Sequence, residues 1–95
     1  LHIKTQSRVF SVPYGKIEYM EVMSIRLYFH MTDGSVREVP GSLVEYEPAL
    51  LKRPGFIKVH RCYLVNLQWM IELNKSELVT ASGHRVPVSR RNTPE

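Results

Sequence analysis

Apolar and polar side chains alternate over short runs through most of this chain, the period-2 signature of strands with one buried face. Ile3 opens a short run, and Arg8-Val9-Phe10-Ser11-Val12 forms a second after the polar Gln6-Ser7 step. Pro13-Tyr14-Gly15-Lys16 then breaks the chain, because proline and glycine supply turn geometry. In the next run Ile17, Tyr19 and Glu21 fall on one face, and Glu18, Met20 and Val22 on the other. Residues 25–32 are rich in β-formers, and Asp33-Gly34 is a two-residue hairpin signal leading into residues 35–39. Further strands are expected at residues 56–60, 67–73, 77–80 and 84–88, with Asn74-Lys75 and Ser82-Gly83 as turns.

One segment departs from this period. Ser42-Leu43-Val44-Glu45 has the form of a capping box, an N-cap serine with glutamate three residues on. Leu43, Tyr46, Leu50 and Leu51 follow at helical spacing. Pro48 lacks an N–H and crowds the preceding turn, so two short helical turns or one bent helix are expected, ending before Pro54-Gly55.

Length and composition bound what such a chain can be. Ninety-five residues fit a single domain, and 43% hydrophobic with 23% charged residues is a globular balance. The chain begins at Leu1, which suggests a piece of a longer protein. No apolar run approaches the ~20 residues of a membrane span, and no basic-then-apolar leader opens the sequence. A single Cys62 excludes an internal disulfide and points to a reducing, cytoplasmic setting.

Charge adds direction. The net charge is +4 and the pI about 9.5. Lys52, Arg53, Lys58 and Arg61 lie in a stretch without acids, as do Arg85, Arg90 and Arg91. Glu18, Glu21, Glu38, Glu45 and Glu47 gather elsewhere. Eight of the thirteen cations are arginine, the side chain that combines phosphate pairing with recognition of base edges. That polarity suits either a polyanion-binding face or a solvated basic surface.

Candidate catalytic chemistry is thin. His60 and Cys62, two residues apart, would share a strand face, but no orienting group or oxyanion site accompanies them. Catalysis is therefore not expected. His2, His30, His60 and His84 lack zinc-site spacing, and the glycines are scattered singly, so neither a metal nor a phosphate-loop cofactor is implied.

Residues 56–66 read FIKVHRCYLVN, which resembles the F-x-R-x-H-R-S-x-x-V-N signature of the LytTR family of bacterial DNA-binding domains. Ile17-Glu18-Tyr19-Met20-Glu21 resembles that family's early I-x-Y-I-E strand. The Asp33-Gly34 hairpin, the Ser42-Leu43 helix start and the closing Val86-Pro87-Val88-Ser89-Arg90-Arg91 fit in order, so the resemblance spans nearly all of residues 1–95. It implies an all-β domain of about ten strands in three small antiparallel sheets with one short helix. It also implies duplex DNA binding by loops that enter successive major grooves, as the output domain of a two-component regulator. An upstream receiver domain, a dimer on repeated half-sites and no membrane contact go with that implication.

Carried over by position, the contact loops are Met23-Ser24-Ile25, the turn holding His60 and Arg61, and the segment Ser89-Arg90-Arg91. Arg61 and Arg90 are candidates for base readout; Lys58, Arg26 and Arg91 are candidates for phosphate contacts. Ser24 suits either role. His60 could donate to DNA or instead orient its own loop by bonding a backbone carbonyl. Asn66 is expected to be structural, and Phe56, Val59, Leu64 and Val65 core. Cys62 stands where the family commonly has serine and is left out of the site. The rival reading is a protein-interaction module that adds a partner strand to an exposed sheet edge. A single-strand binder would need aromatics interleaved with the arginines, and these are not.

Overall fold

The computed structural model describes residues 1–5 and 7–89, and in it the alternating runs become antiparallel strands. In chain order they are β1 (His2–Lys4), β2 (Val9–Ser11), β3 (Ile17–Met23), β4 (Arg26–Met31) and β5 (Val36–Pro40). The helix α1 (Leu43–Leu51) comes next. It is followed by β6 (Phe56–His60), β7 (Tyr63–Asn66), β8 (Met70–Leu73), β9 (Glu77–Thr80) and β10 (Arg85–Pro87). β1 and β2 pair alone, a five-stranded sheet runs β5-β4-β3-β7-β6, and a three-stranded sheet runs β10-β9-β8. The mainly β architecture in three antiparallel sheets with one helix is thus the expected one.

Two cores flank the five-stranded sheet. On one face, Ile17, Met20, Leu27, Phe29 and Leu64 pack with Ile3, Val12, Leu43, Tyr46 and Leu50 from the β1–β2 region and α1. On the other, Tyr19, Val59 and Val65 pack with Leu78, Val86 and Val88 of the three-stranded sheet region. β3 contributes to both, because a bulge between Ile17 and Tyr19 inserts Glu18 as an extra residue. The bulge reverses the parity of the strand. Ile17 therefore shares the Met20 side, and the expected Ile17–Tyr19 face does not exist. Glu18 is buried, and its carboxylate accepts the Ser82 hydroxyl at 2.7 Å and the Ser82 N–H at 3.3 Å.

Local departures from the sequence reading have similar causes. α1 is one helix that continues through Pro48; the bond forfeited by the missing N–H falls at Val44, an exposed residue. The capping box is present, with Glu45 accepting the Ser42 N–H at 3.3 Å. The β4–β5 loop takes three residues instead of two: Met31 N–H donates to the Ser35 carbonyl, and Gly34 closes the loop at φ 90°. Residues 67–69 form a 3-10 turn, not the start of a strand, while residues 63–66, unread as a strand from sequence, form β7.

Asn66 closes the end of the five-stranded sheet where β3 begins and β7 ends. It is 3% exposed; its amide donates to the Ile17 carbonyl at 3.1 Å, and its oxygen accepts the Gln68 N–H at 3.1 Å. The structural role expected for it is the one observed. Asn66→Ala leaves a buried carbonyl and an N–H unmatched, so urea unfolding should report a loss of about 1–3 kcal/mol.

Candidate nucleic-acid interface

Strand order decides which loops meet. β3 and β7 are antiparallel neighbours with Glu21 opposite Tyr63, and Val22 N–H donates to the Cys62 carbonyl at 2.9 Å. The β3–β4 turn, Ser24-Ile25, and the β6–β7 turn, Arg61-Cys62, therefore project from the same end of the sheet. Ser89 N–H donates to the Val59 carbonyl at 2.9 Å, which brings the C-terminal segment to β6 beside His60. Three segments far apart in sequence thus converge on one end. Arg90 and Arg91 follow Ser89 but lie outside the described residues.

The candidate side chains separate into different environments. Ser24 has φ 59°, left-handed backbone that a two-residue hairpin turn imposes on its first central residue. Arg26 pairs with Glu38 at 3.0 Å, both about half exposed, a surface pair worth little and readily exchanged for another anion. Arg61 is exposed at its turn and enters no ion pair among the described residues.

Lys58 stands next to this end in the ladder but faces away from His60. A bulge between Lys58 and His60 inserts Val59, so Lys58 lies opposite Leu64 on the helix-covered face, while His60 lies opposite Tyr63 on the other. Lys58 is ion-paired with Glu47 of α1, whose Oε1 is buried. Its ammonium anchors the helix to β6.

His60 is held, but by a different group from the one expected. Its Nδ1 accepts the Cys62 N–H at 3.1 Å, closing the turn from within. His60 and Cys62 do not share a strand face, because the chain reverses between them. With Nδ1 accepting, the neutral ring carries its proton on Nε2, which leaves that N–H as a donor. The ring lies edge-on to Tyr63, with centroids 5.5 Å apart at 74°.

Behind His60 a row of polar aromatics crosses the sheet. The Glu21 carboxylate accepts from His30 Nε2 at 2.7 Å and from the Tyr63 hydroxyl. His30 stacks flat on Tyr19 at 4.1 Å, and His84 contacts both rings. Sequence reasoning missed Tyr63 and Glu21 as supports for His60, because their juxtaposition depends on β7, which carries no alternating pattern. Desolvation, then the Glu21 charge and hydrogen bond, raise the Tyr63 pKa above its ordinary 10.0. Tyr19 is pushed up further by the same burial and Glu21 charge.

Lys52 and Arg53 lie elsewhere, at the C-terminal end of α1. There Arg53 stacks over Tyr14 at 4.0 Å, beside a groove of about 410 Å³ at the opposite end of the sheet. Among the described residues there is no cluster of three metal-ligating side chains, and no helix long and apolar enough to cross a membrane.

The tyrosines give a pH dependence with a definite sign. Folded Tyr19, Tyr63 and Tyr46 keep their protons above pH 10, while the unfolded chain releases them near 10.0, so unfolded chains bind fewer protons there. Stability contributed by these groups is complete below pH 10 and is lost as pH rises beyond it. Urea midpoints should hold from pH 8 to 9.5 and then fall, with a smaller fall in Tyr63→Phe.

A family model described as the LytTr DNA-binding domain matches residues 7–95. A solved structure described as the LytTr DNA-binding domain of a response regulator from Bacillus cereus superimposes with a TM-score of 0.76 at 28% identity. That match covers 97% of this chain and 87% of the other. An uncharacterised response regulatory protein of Vibrio cholerae serotype O1 is 39% identical over 51 residues, 48% of this chain. The match spans 22% of that relative's length.

Proposed function

The chain belongs to the LytTr DNA-binding domain family, and we propose that it binds duplex DNA sequence-specifically as the output domain of a bacterial transcription regulator. The observation that carries this reading is the convergence of the Ser24-Ile25 turn, the Arg61-Cys62 turn and the Ser89 segment on one end of the five-stranded sheet. Arg61 and Arg90 read base edges, where a guanidinium can pair bidentately with guanine. Arg26 and Arg91 hold phosphates, Ser24 adds a hydroxyl at the first turn, and His60 offers its Nε2–H. Lys58 is assigned to holding α1 in place of a phosphate.

Spacing refines how these parts divide the duplex. The two hairpins are centred two strand intervals apart, about 10 Å. Successive major grooves lie about 34 Å apart along one face, so these turns occupy one groove and its flanking backbone. An upstream receiver domain, in keeping with the relatives' description as response regulators, and a dimer on repeated half-sites complete the reading.

The rival, strand addition at a sheet edge, finds poor edges. β8 is four residues long and bulged at Ile71, and β5 carries Arg37, Glu38 and Pro40. β6 is bulged at Val59, whose carbonyl is already taken by Ser89.

Selection of duplexes from a random pool, at low and near-physiological salt, tests the function. An enriched element that persists at the higher salt is the expected result; binding that fades with salt and enriches nothing would leave only a basic surface. Arg61→Ala should weaken the selected duplex by about 1–3 kcal/mol and relax one base preference. An unchanged motif in both Arg61→Ala and Arg90→Ala removes them as readers. His60 separates its two bonds cleanly. Glutamine places an amide N–H near Nε2, and asparagine keeps an acceptor near Nδ1, so His60→Gln should retain more affinity than His60→Asn.

A further inference from the structure

We propose that Ile25 is a specificity residue that reads the 5-methyl group of thymine in the major groove. The inference rests on the DNA-binding reading above and names a contact that charge and hydrogen bonding do not supply. Ile25 is 76% exposed, the most exposed large apolar side chain among the described residues. Met23, just before the turn, is 53% exposed. Both belong to the hairpin tip that shares an end of the sheet with Arg61.

The position is an unusual one for this residue type. Two-residue hairpin turns favour glycine, asparagine, aspartate and serine, which suit the backbone and are well solvated. A β-branched aliphatic there gains nothing for the turn and holds its apolar surface in water. Its backbone is fixed, because the Ile25 carbonyl accepts the Gly41 N–H at 2.9 Å. Isoleucine also has few χ1 states to lose. The result is a rigid apolar point set between a hydroxyl, Ser24, and a guanidinium, Arg26. The edges of the major groove carry one apolar group that projects from them, the thymine methyl, among hydrogen-bond donors and acceptors. A tip of this composition is complementary to a thymine flanked by phosphate.

Deoxyuridine isolates the methyl, since it pairs like thymidine and lacks only that group. In the duplex selected above, each thymine is replaced in turn and binding by the 95-residue chain and its Ile25→Ser variant is measured. Wild type should lose about fourfold at one position, the value of one buried methyl group. Ile25→Ser should bind thymine and uracil duplexes equally at that position and still select the remainder of the element. Because Ile25 is exposed, the variant is expected to fold, and an unchanged urea midpoint checks this. Indifference of wild type to every replacement, an element without thymine, or unaltered discrimination by Ile25→Ser overturns the proposal while leaving DNA binding standing. Failure to enrich any element removes the DNA-binding reading, and this inference with it.

Discussion

β3 is buried on both of its faces, and that constraint fixes most of what lies around it. A seven-residue strand cannot serve two cores by strict alternation when its own side chains include a glutamate at the second position. The bulge resolves this. Glu18 becomes the extra residue, turned toward the β9–β10 loop, where Ser82 supplies two donors to its carboxylate. Burying that group without donors would cost several kcal/mol, so sheet contact and bulge stabilise each other. Ile17, Met20 and Val22 then face the helix side, and Tyr19 faces the three-stranded sheet. With β3 pinned between β4 and β7, the heights of both hairpin tips are set by ladder register, not by loop conformation.

A protein that presents loops in this way gains from stiffness just behind them. The Tyr63–Glu21–His30 row supplies it. Each member is held from two sides: Tyr63 by the Glu21 carboxylate and the His60 ring, Glu21 by Tyr63 and His30, His30 by Glu21 and the Tyr19 ring. Side chains ordered before binding lose less entropy when they bind. The same logic applies to His60, whose ring is fixed by a neighbour's N–H two residues on. The end proposed to meet nucleic acid is thus a rigid edge of a sheet, in contrast with readers that insert a helix.

How much of this was legible in the sequence follows from what alternation can carry. β3 to β6, β9 and the capping box at Ser42 are local patterns, and they were readable. β7 was not, because Leu64, Val65 and Asn66 are all buried and leave no period to detect. Bulges are likewise silent in a single sequence, yet each reverses parity downstream. That is why Lys58, read as a candidate phosphate contact, gave no sign that it faces α1. Arg61 was legible because charge without a nearby acid survives any change of register. Ile25 entered a contact loop through the family resemblance alone; its run of β-formers gives no such signal, and the position of the turn is what exposes it.

The Val59 bulge shows how a single inserted residue can serve several ends. It drives Val59 into the second core, where it is 1% exposed. It places Lys58 and His60 on opposite faces, so one cation fastens the helix while the imidazole stands at the end where the turns converge. It also interrupts the ladder at an edge strand, which discourages pairing with another chain. The Val59 carbonyl then accepts the Ser89 N–H, and the C-terminal segment is drawn to the end where Arg61 stands. Removing the bulge by deleting one residue would therefore do more than alter a contact. It would take Val59 out of the second core, free the edge, and release the segment that leads into Arg90 and Arg91. Edge protection and the convergence of the segments proposed to meet DNA are in this fold consequences of the same backbone irregularity.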